Sequence, residues 1–383
     1  MKSMSVLFTT LAVFVFLLSP CLPARAADSV RIGVMCPLTG PWANEGIDMQ
    51  RIVRLLADAL NKSGGLKSGP FQGRAVELVV EDDAGDPRTA SLAAQKLATA
   101  NVLAVIGTYG SAVTEASQNI IDEAGLVQIG TGSTSVRLTE KGLPLFFRVS
   151  PRDDAQGRVA ALMLKKLGAG KVAVLHDNSS YAKGLAEEAR KILDKEQGVT
   201  IVFFDAITPK ERDYNATLTR MKSAAPDIIF FSGYYNDAAT LLRQKMEMGW
   251  NVPMLGGDAT NNTDLVKIAG KEAAKGFYFI SPPVPQDFDT PDTQAFMENY
   301  RKAHNQMPSS VWAVLAGDAF KVIIAALEAG ADKPAAIADK LRNDIKDFPG
   351  LTGSLSFDAK GDRIGDLYRL YTVNPEGEFV LSK

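Results

Sequence analysis

Gly107-Thr108-Tyr109-Gly110-Ser111-Ala112 and Gly130-Thr131-Gly132-Ser133-Thr134-Ser135 each follow an apolar run, residues 102–106 and 126–129. Apolar runs of this length bounded by glycine read as buried strands. The clusters therefore stand where strands end, and after the first a helix begins. Strand ends of this kind are where open α/β sheets bind ligands, and helix-start N–H groups with hydroxyls favour an anionic group. The same construction recurs. Residues 227–231 lead into Gly233-Tyr234-Tyr235-Asn236-Asp237, and residues 252–255 lead into Gly256-Gly257-Asp258-Ala259-Thr260-Asn261. Gly107 to Gly130 and Gly233 to Gly256 are both steps of 23 residues, and the two sets are offset by 126. The match extends back to Ile32-Gly33-Val34 and Val172-Ala173-Val174. One supersecondary plan used twice predicts an α/β protein of two Rossmann-like lobes facing one cleft.

The chain has 383 residues, 22% of them charged and 46% apolar, which is globular and enough for two domains. With 42 Lys and Arg against 44 Asp and Glu, a nucleic-acid role has no electrostatic support. The opening differs from the rest. Lys2 precedes an apolar stretch over 7–18, then Pro20, Pro23 and Ala24-Arg25-Ala26, which predicts a secretory leader over 1–26 cleaved after Ala26. Pro20 before Cys21 disfavours lipidation at that cysteine. The processed chain would keep Cys36 alone, so no structural disulfide within it is expected.

Further along, Asp86-Pro87 and Thr290-Pro291 read as helix starts, Ser309-Ser310 caps a helix to Ala329, and residues 355–357, 368–373 and 379–381 read as short strands. Breaks at Ser150-Pro151 and Ser281-Pro282-Pro283 suggest that the chain crosses between lobes. Lobe 1 is expected over 27–149 plus 283–352 and lobe 2 over 150–282 plus 353–383, with three crossings forming a hinge. The Gly130 cluster ends in Ser135 where a dinucleotide fingerprint needs glycine or alanine, and it follows a late strand, so no cofactor is expected. The two histidines, His176 and His304, give no metal-ligand spacing, and Glu81-Asp82-Asp83 reads as a strand-end cap. No nucleophile elbow is present, so a hydrolase lacks its nucleophile–base pair. What remains is a cleft with Ser111, Ser133 and Thr134 on one side, Tyr181, Tyr234 and Asp258 on the other, and Trp42 walling a side-chain pocket. Such a site suits a zwitterion: a carboxylate on the donors, an ammonium on Asp258.

Pro37-Leu38-Thr39-Gly40-Pro41, Glu81 through Pro87, His176-Asp177 with Tyr181, Gly184-Leu185-Ala186, Gly233-Tyr234 and Gly256-Gly257-Asp258 together resemble the type I periplasmic binding proteins of branched-chain amino acid importers. The resemblance covers essentially the whole processed chain. It implies a periplasmic binding protein-like fold that closes on an amino acid, and delivery to an inner-membrane ABC permease and its ATPase from the periplasm by a monomer. It also implies that Ser111, Gly132, Ser133 and Thr134 hold the carboxylate, that Tyr181 and Tyr234 contact the ligand from lobe 2, and that Asp258 takes the ammonium. A ligand-sensing subunit of a signalling complex is the alternative use of the same fold, with any signalling partner a separate chain. The leucine/isoleucine/valine-binding protein that typifies the family has glutamate at the position of Asp258, tyrosine at that of Glu45 and a small apolar residue at that of Trp42. Its disulfide falls on Gly85 and Gly110, so the bridge is absent here. Pocket shape sets selectivity, so the altered first loop separates ligand choice from family membership.

Overall fold

A computed structural model describes residues 29–365 and 367–382. The expected leader, with Cys21, lies outside the described residues. The chain builds two sheets in succession. β1 (Val30–Cys36), β2 (Val76–Asp82), β3 (Ala104–Ile106), β4 (Val127–Gly130) and β5 (Phe146–Arg148) form a parallel sheet in the order β2-β1-β3-β4-β5. β6 (Lys171–His176), β7 (Thr200–Ala206), β8 (Ile228–Ser232), β9 (Met254–Gly256) and β10 (Tyr278–Ser281) form a second parallel array in the order β7-β6-β8-β9-β10. A hairpin of β11 (Phe348–Gly350) and β12 (Gly353–Leu355) follows. β13 (Arg369–Val373) and β14 (Phe379–Leu381) then extend the second sheet antiparallel from β10. The two parallel orders are identical, as the repeated glycine clusters predict.

Local chemistry explains the elements. Every residue of β3, β4, β8 and β9 is buried, because helices cover both faces of a parallel sheet; the edge strands β2 and β7 are half-exposed and carry polar residues. Asp86 caps helix Pro87–Ala98 by accepting the Thr89 N–H at 2.9 Å, and Pro87 takes the first turn, where no N–H is needed. Ser179, Thr290 and Ser310 cap helices in the same way. Helix Val311–Glu328 packs on helix Ala43–Lys62. Their close approach depends on Gly317, where a Cβ would stand 2.9 Å from Ile52 Cγ2. A segment far along the chain thereby joins the layer over the first sheet.

Two buried charge networks tie the end of β5 and the residues just after it to the residues after the hairpin. Arg148 donates to Asp362 at 2.5 Å, and Arg152 donates to the same carboxylate at 2.6 Å. Arg363 donates to Val149 O at 3.3 Å and to Thr352 Oγ1 at 2.7 Å, beside the buried Asp318. The strand expected over 355–357 ends instead at Leu355, and its partner Phe348–Gly350 is not apparent from local pattern. Pro349 and Gly350 are poor strand residues; the distant Asp318 carboxylate, which accepts the Leu351 and Thr352 N–H groups at the hairpin turn, overrides that preference.

Candidate functional site

The carboxyl ends of β3 and β4 form one wall. Helix Ser111–Glu123 begins at Gly110, which has no side chain to cap it, so its first-turn N–H groups face outward without a side-chain acceptor. The Ser111 hydroxyl accepts the Ser135 N–H at 3.2 Å and keeps its own hydrogen to donate. The loop 131–135 is held from beneath. Arg148 donates to Ser133 O at 3.3 Å and to Ser135 O at 2.8 Å, and Ser150 donates to Ser133 O at 3.0 Å. Gly132 is required by a close approach, since a Cβ there would stand 2.5 Å from the Tyr109 ring. The Thr134 carbonyl accepts the Asp153 N–H at 2.9 Å, and its hydroxyl faces the Asp153 carboxylate. The Ser133 hydroxyl lies close to Gly130 and, like the Thr134 hydroxyl, has no hydrogen-bond partner among the described residues.

The carboxyl ends of β8 and β9 form the opposite wall. Asp258 is 1% exposed and heads a single turn of 3₁₀ helix. Its carboxylate accepts Gln156 Nε2 at 2.7 Å and Tyr368 OH at 2.8 Å, while its N–H donates to Gln156 Oε1 at 2.9 Å. Tyr181 OH donates to the same Gln156 oxygen at 3.3 Å and accepts the Ala259 N–H at 3.3 Å. Gln156 also donates to Asp153 at 3.2 Å, so its amide links two buried acids. Burial pushes the Asp258 carboxyl up to about 7, against the hydroxyls of Tyr368 and Tyr181 and the Gln156 amide that pull it down. Burial, then the Asp258 charge, pushes Asp153 well above the carboxylate range. Both shifts disfavour the charged forms, and a cation beside Asp258 would favour its ionised form.

Aromatic rings join the walls. Trp42 lies 4.3 Å from Tyr234 and 5.4 Å from Tyr109, centroid to centroid, and Tyr181 lies 5.5 Å from Tyr234. The indole covers Gly110, where a Cβ would meet it at 2.9 Å. One helical turn on, Glu45 is 0% exposed; it accepts Ser310 Oγ at 2.7 Å and Asn262 Nδ2 at 3.0 Å. Burial, opposed by the Ser310 hydroxyl and reinforced by Asp48, pushes Glu45 up to about 8. Asn262 lies beyond β9, so this bond crosses between the sheets. So do Asn44 to Asp264 at 2.6 Å, Tyr235 OH to Pro41 O at 3.2 Å, and Ser180 to Glu115 at 2.8 Å. Two cavities of about 470 and 520 Å³ also span the interface, one lined by Arg137, Ser180 and Lys183, the other by Asn44, Arg51 and Asp264; neither reaches Ser111, Tyr234 or Asp258.

The structure thus brings Trp42, Ser111, Gly132, Ser133, Thr134, Tyr181, Tyr234 and Asp258 to one place. Tyr109, Asp153, Gln156, Tyr368 and Glu45 belong to the same place and carry no local motif. Tyr109 had one available signal, its position inside the first glycine cluster. His176 stands apart from the cleft: its Nδ1 accepts the Asn178 N–H at 3.1 Å, and its ring packs edge-on against Phe204. Asp82 gathers the N–H groups of Leu38, Thr39 and Ala84, which fixes the loop carrying Trp42. Among the described residues no group of three or more His, Cys, Asp or Glu side chains has metal-holding geometry. Cys36 is a buried free thiol at the end of β1.

The chain matches a family model described as periplasmic binding protein over residues 29–378. It is 33% identical over 343 residues to the leucine-, isoleucine-, valine-, threonine-, and alanine-binding protein of Pseudomonas aeruginosa, a match covering 88% of each chain. It is 32% identical over 362 residues to an amino acid binding protein of the same organism, covering 94% of each. Among solved structures it resembles the branched-chain amino acid transporter substrate binding protein LivJ from Streptococcus pneumoniae, in complex with isoleucine. That likeness has a TM-score of 0.83 and 32% identity, and covers 92% of this chain and 98% of that one. With two parallel sheets of one strand order, their strand ends meeting in a shared cleft, and a family match over nearly its whole described length, this chain belongs to the periplasmic binding protein family.

Proposed function

We propose that this chain is the extracytoplasmic solute-binding protein of an ABC importer and that it closes on an α-amino acid. The observation that carries the reading is the division of labour across the cleft. One wall offers the Ser111 hydroxyl, the 132–134 loop and uncapped helix N–H groups to a carboxylate; the other offers the buried Asp258 carboxylate, to which no basic side chain among the described residues is bonded, to an ammonium. The names of the relatives support the same ligand class. In this reading the lobes are 27–149 plus 283–352 and 150–282 plus 353–383. The strands of chain near 149, 282 and 352 bend, and the bonds from Asn262 to Glu45 and from Asn44 to Asp264 form as the lobes close. Residues 1–26 are removed on export, the protein acts in the periplasm as a monomer, and an inner-membrane permease with its ATPase receives the ligand. The reading is binding without turnover, as the names of the relatives support, and it calls for no cofactor.

The test is calorimetric titration of protein unfolded, dialysed free of small molecules and refolded, against a panel of L-amino acids, with chromatography of the mixture afterwards. Saturable one-to-one binding with the amino acid recovered unchanged is the expected result. Binding only of compounds lacking an α-ammonium, or conversion of a bound compound to product, overturns the reading.

A further inference from the structure

Aromatic rings set the room beside the anion-binding wall. Gly110 and Gly132 frame that wall, one just before Ser111 and the other in the 131–135 loop, and a ring lies on each at contact distance. A Cβ on Gly110 would stand 2.9 Å from Trp42 Cζ3, and one on Gly132 would stand 2.5 Å from Tyr109 Cδ2. Tyr234 reaches the same spot from the opposite wall, its hydroxyl 3.4 Å from the Gly110 Cβ position. The rings also pack on one another. Their centroids are 4.3 Å apart for Trp42 and Tyr234, 5.4 Å for Trp42 and Tyr109, and 5.9 Å for Tyr109 and Tyr234.

The indole is not free to swing aside. It packs on a second glycine, Gly85, where a Cβ would stand 2.6 Å from Trp42 Cε3. Its loop is pinned from both sheets. Asp82 accepts the N–H groups of Leu38 and Thr39, while Tyr235 OH and Asn236 Nδ2 donate to Pro41 O at 3.2 and 3.1 Å. Tyr109 is 2% exposed, so it too has little freedom to move. An amino acid with its carboxylate on Ser111 and the 132–134 loop has its α-carbon one bond further on. Its ammonium takes Asp258, and its side chain is left to the rings. A long or branched side chain there must displace the indole or the phenol, and close-packed groups resist that. Overpacking of this kind lowers affinity roughly five- to hundredfold. A small side chain lies against the rings and keeps water from their faces.

We infer that the ligand is an α-amino acid whose side chain is no larger than a hydroxymethyl group, and that Trp42 sets this limit. The inference rests on the amino-acid-binding reading and adds the side-chain size to it.

Calorimetric titration of the refolded protein with the proteinogenic amino acids tests it. Trp42→Ala and Trp42→Leu are measured beside the parent, with melting curves taken without ligand to show which are folded. The expected result is that glycine, alanine or serine binds at least tenfold more tightly than any amino acid with a larger side chain. In folded Trp42→Ala the affinity for leucine, relative to that for the preferred small ligand, should rise at least tenfold. Trp42→Leu should shift the same ratio less, and it is judged by the direction of that shift if Trp42→Ala does not fold. A margin below tenfold in the parent, or a ratio that fails to rise in the folded variants, overturns the inference and leaves the amino-acid reading standing. If the folded parent binds only compounds lacking an α-ammonium, the reading falls and the inference with it.

Discussion

Asp258→Asn probes the ammonium side of the cleft with the least structural disturbance. The Asp258 carboxylate is 1% exposed, and one of its oxygens accepts both Gln156 Nε2 and Tyr368 OH. An asparagine oxygen can accept the same two donors. Its NH₂ group then replaces the other carboxylate oxygen and turns a positive edge toward the ligand ammonium. Removing one partner of a buried charged pair costs roughly 2–5 kcal/mol, which is about 30-fold to several thousand-fold in affinity. Stability without ligand should respond in the other direction. Asp258 is held up at about 7 by burial, so its contribution is fully present below the ordinary carboxylate range and is lost as pH rises through about 7. Asparagine has no proton to lose, and the variant should melt no lower than the parent at pH 8. Calorimetric titration with the tightest-binding amino acid of the panel, alongside melting curves at pH 6 and 8, reads both effects. An affinity within threefold of the parent refutes the ammonium assignment. A parallel fall in melting temperature at both pH values would show Asp258 to be chiefly structural.

Asp362→Ala should cost about 3–5 kcal/mol in urea unfolding, because it strands the fully buried Arg148 and leaves Arg152 without that partner; a loss under 1 kcal/mol would sink the argument. Burial raises the Asp362 carboxyl, but Arg148 and Arg152 prevail and hold it below its usual value. The stability it contributes is therefore present above the ordinary carboxylate pKa and is lost as acid is added through the lower folded value, and the variant's stability should fall less steeply in that range. Glu45→Gln should flatten the decline of ligand-free stability between neutral pH and about 8, where the parent gives up at most about 1.4 kcal/mol per pH unit; equal slopes would show that Glu45 is not buried in solution. Gly110→Ala places a methyl group 2.9 Å from the Trp42 ring and 3.4 Å from Tyr234 OH. Overpacking of that kind costs about 1–3 kcal/mol, so ligand affinity should fall about fivefold or more, and unchanged affinity would mean the indole is free to leave.

The doubled architecture was legible in the residues because its signals are local. An apolar run ended by glycine, a Pro at the first helical turn and a Ser or Asp cap each act within a few residues, so β3 with β4 and β8 with β9 announce themselves, as do helices Pro87–Ala98 and Val311–Glu328. The cleft was legible in outline for the same reason, since Ser111, Gly132, Tyr234 and Asp258 all sit at strand ends. What those residues do there was decided by tertiary contacts. Ser133 lies in the right cluster, but its backbone is fixed from outside it: Arg148 and Ser150, from the next strand and turn, hold its carbonyl. Asp258 reads as a solvated acid in an open cleft; it is buried, and its partners Gln156 and Tyr368 lie 102 and 110 residues away. Glu45 looks like an ordinary acid in the first turn of a helix until Asn262 and Ser310, more than 200 residues distant, enclose it. Backbone preference belongs to neighbours in the chain. Burial, and with it the charge a side chain can carry, belongs to whatever the fold brings against it.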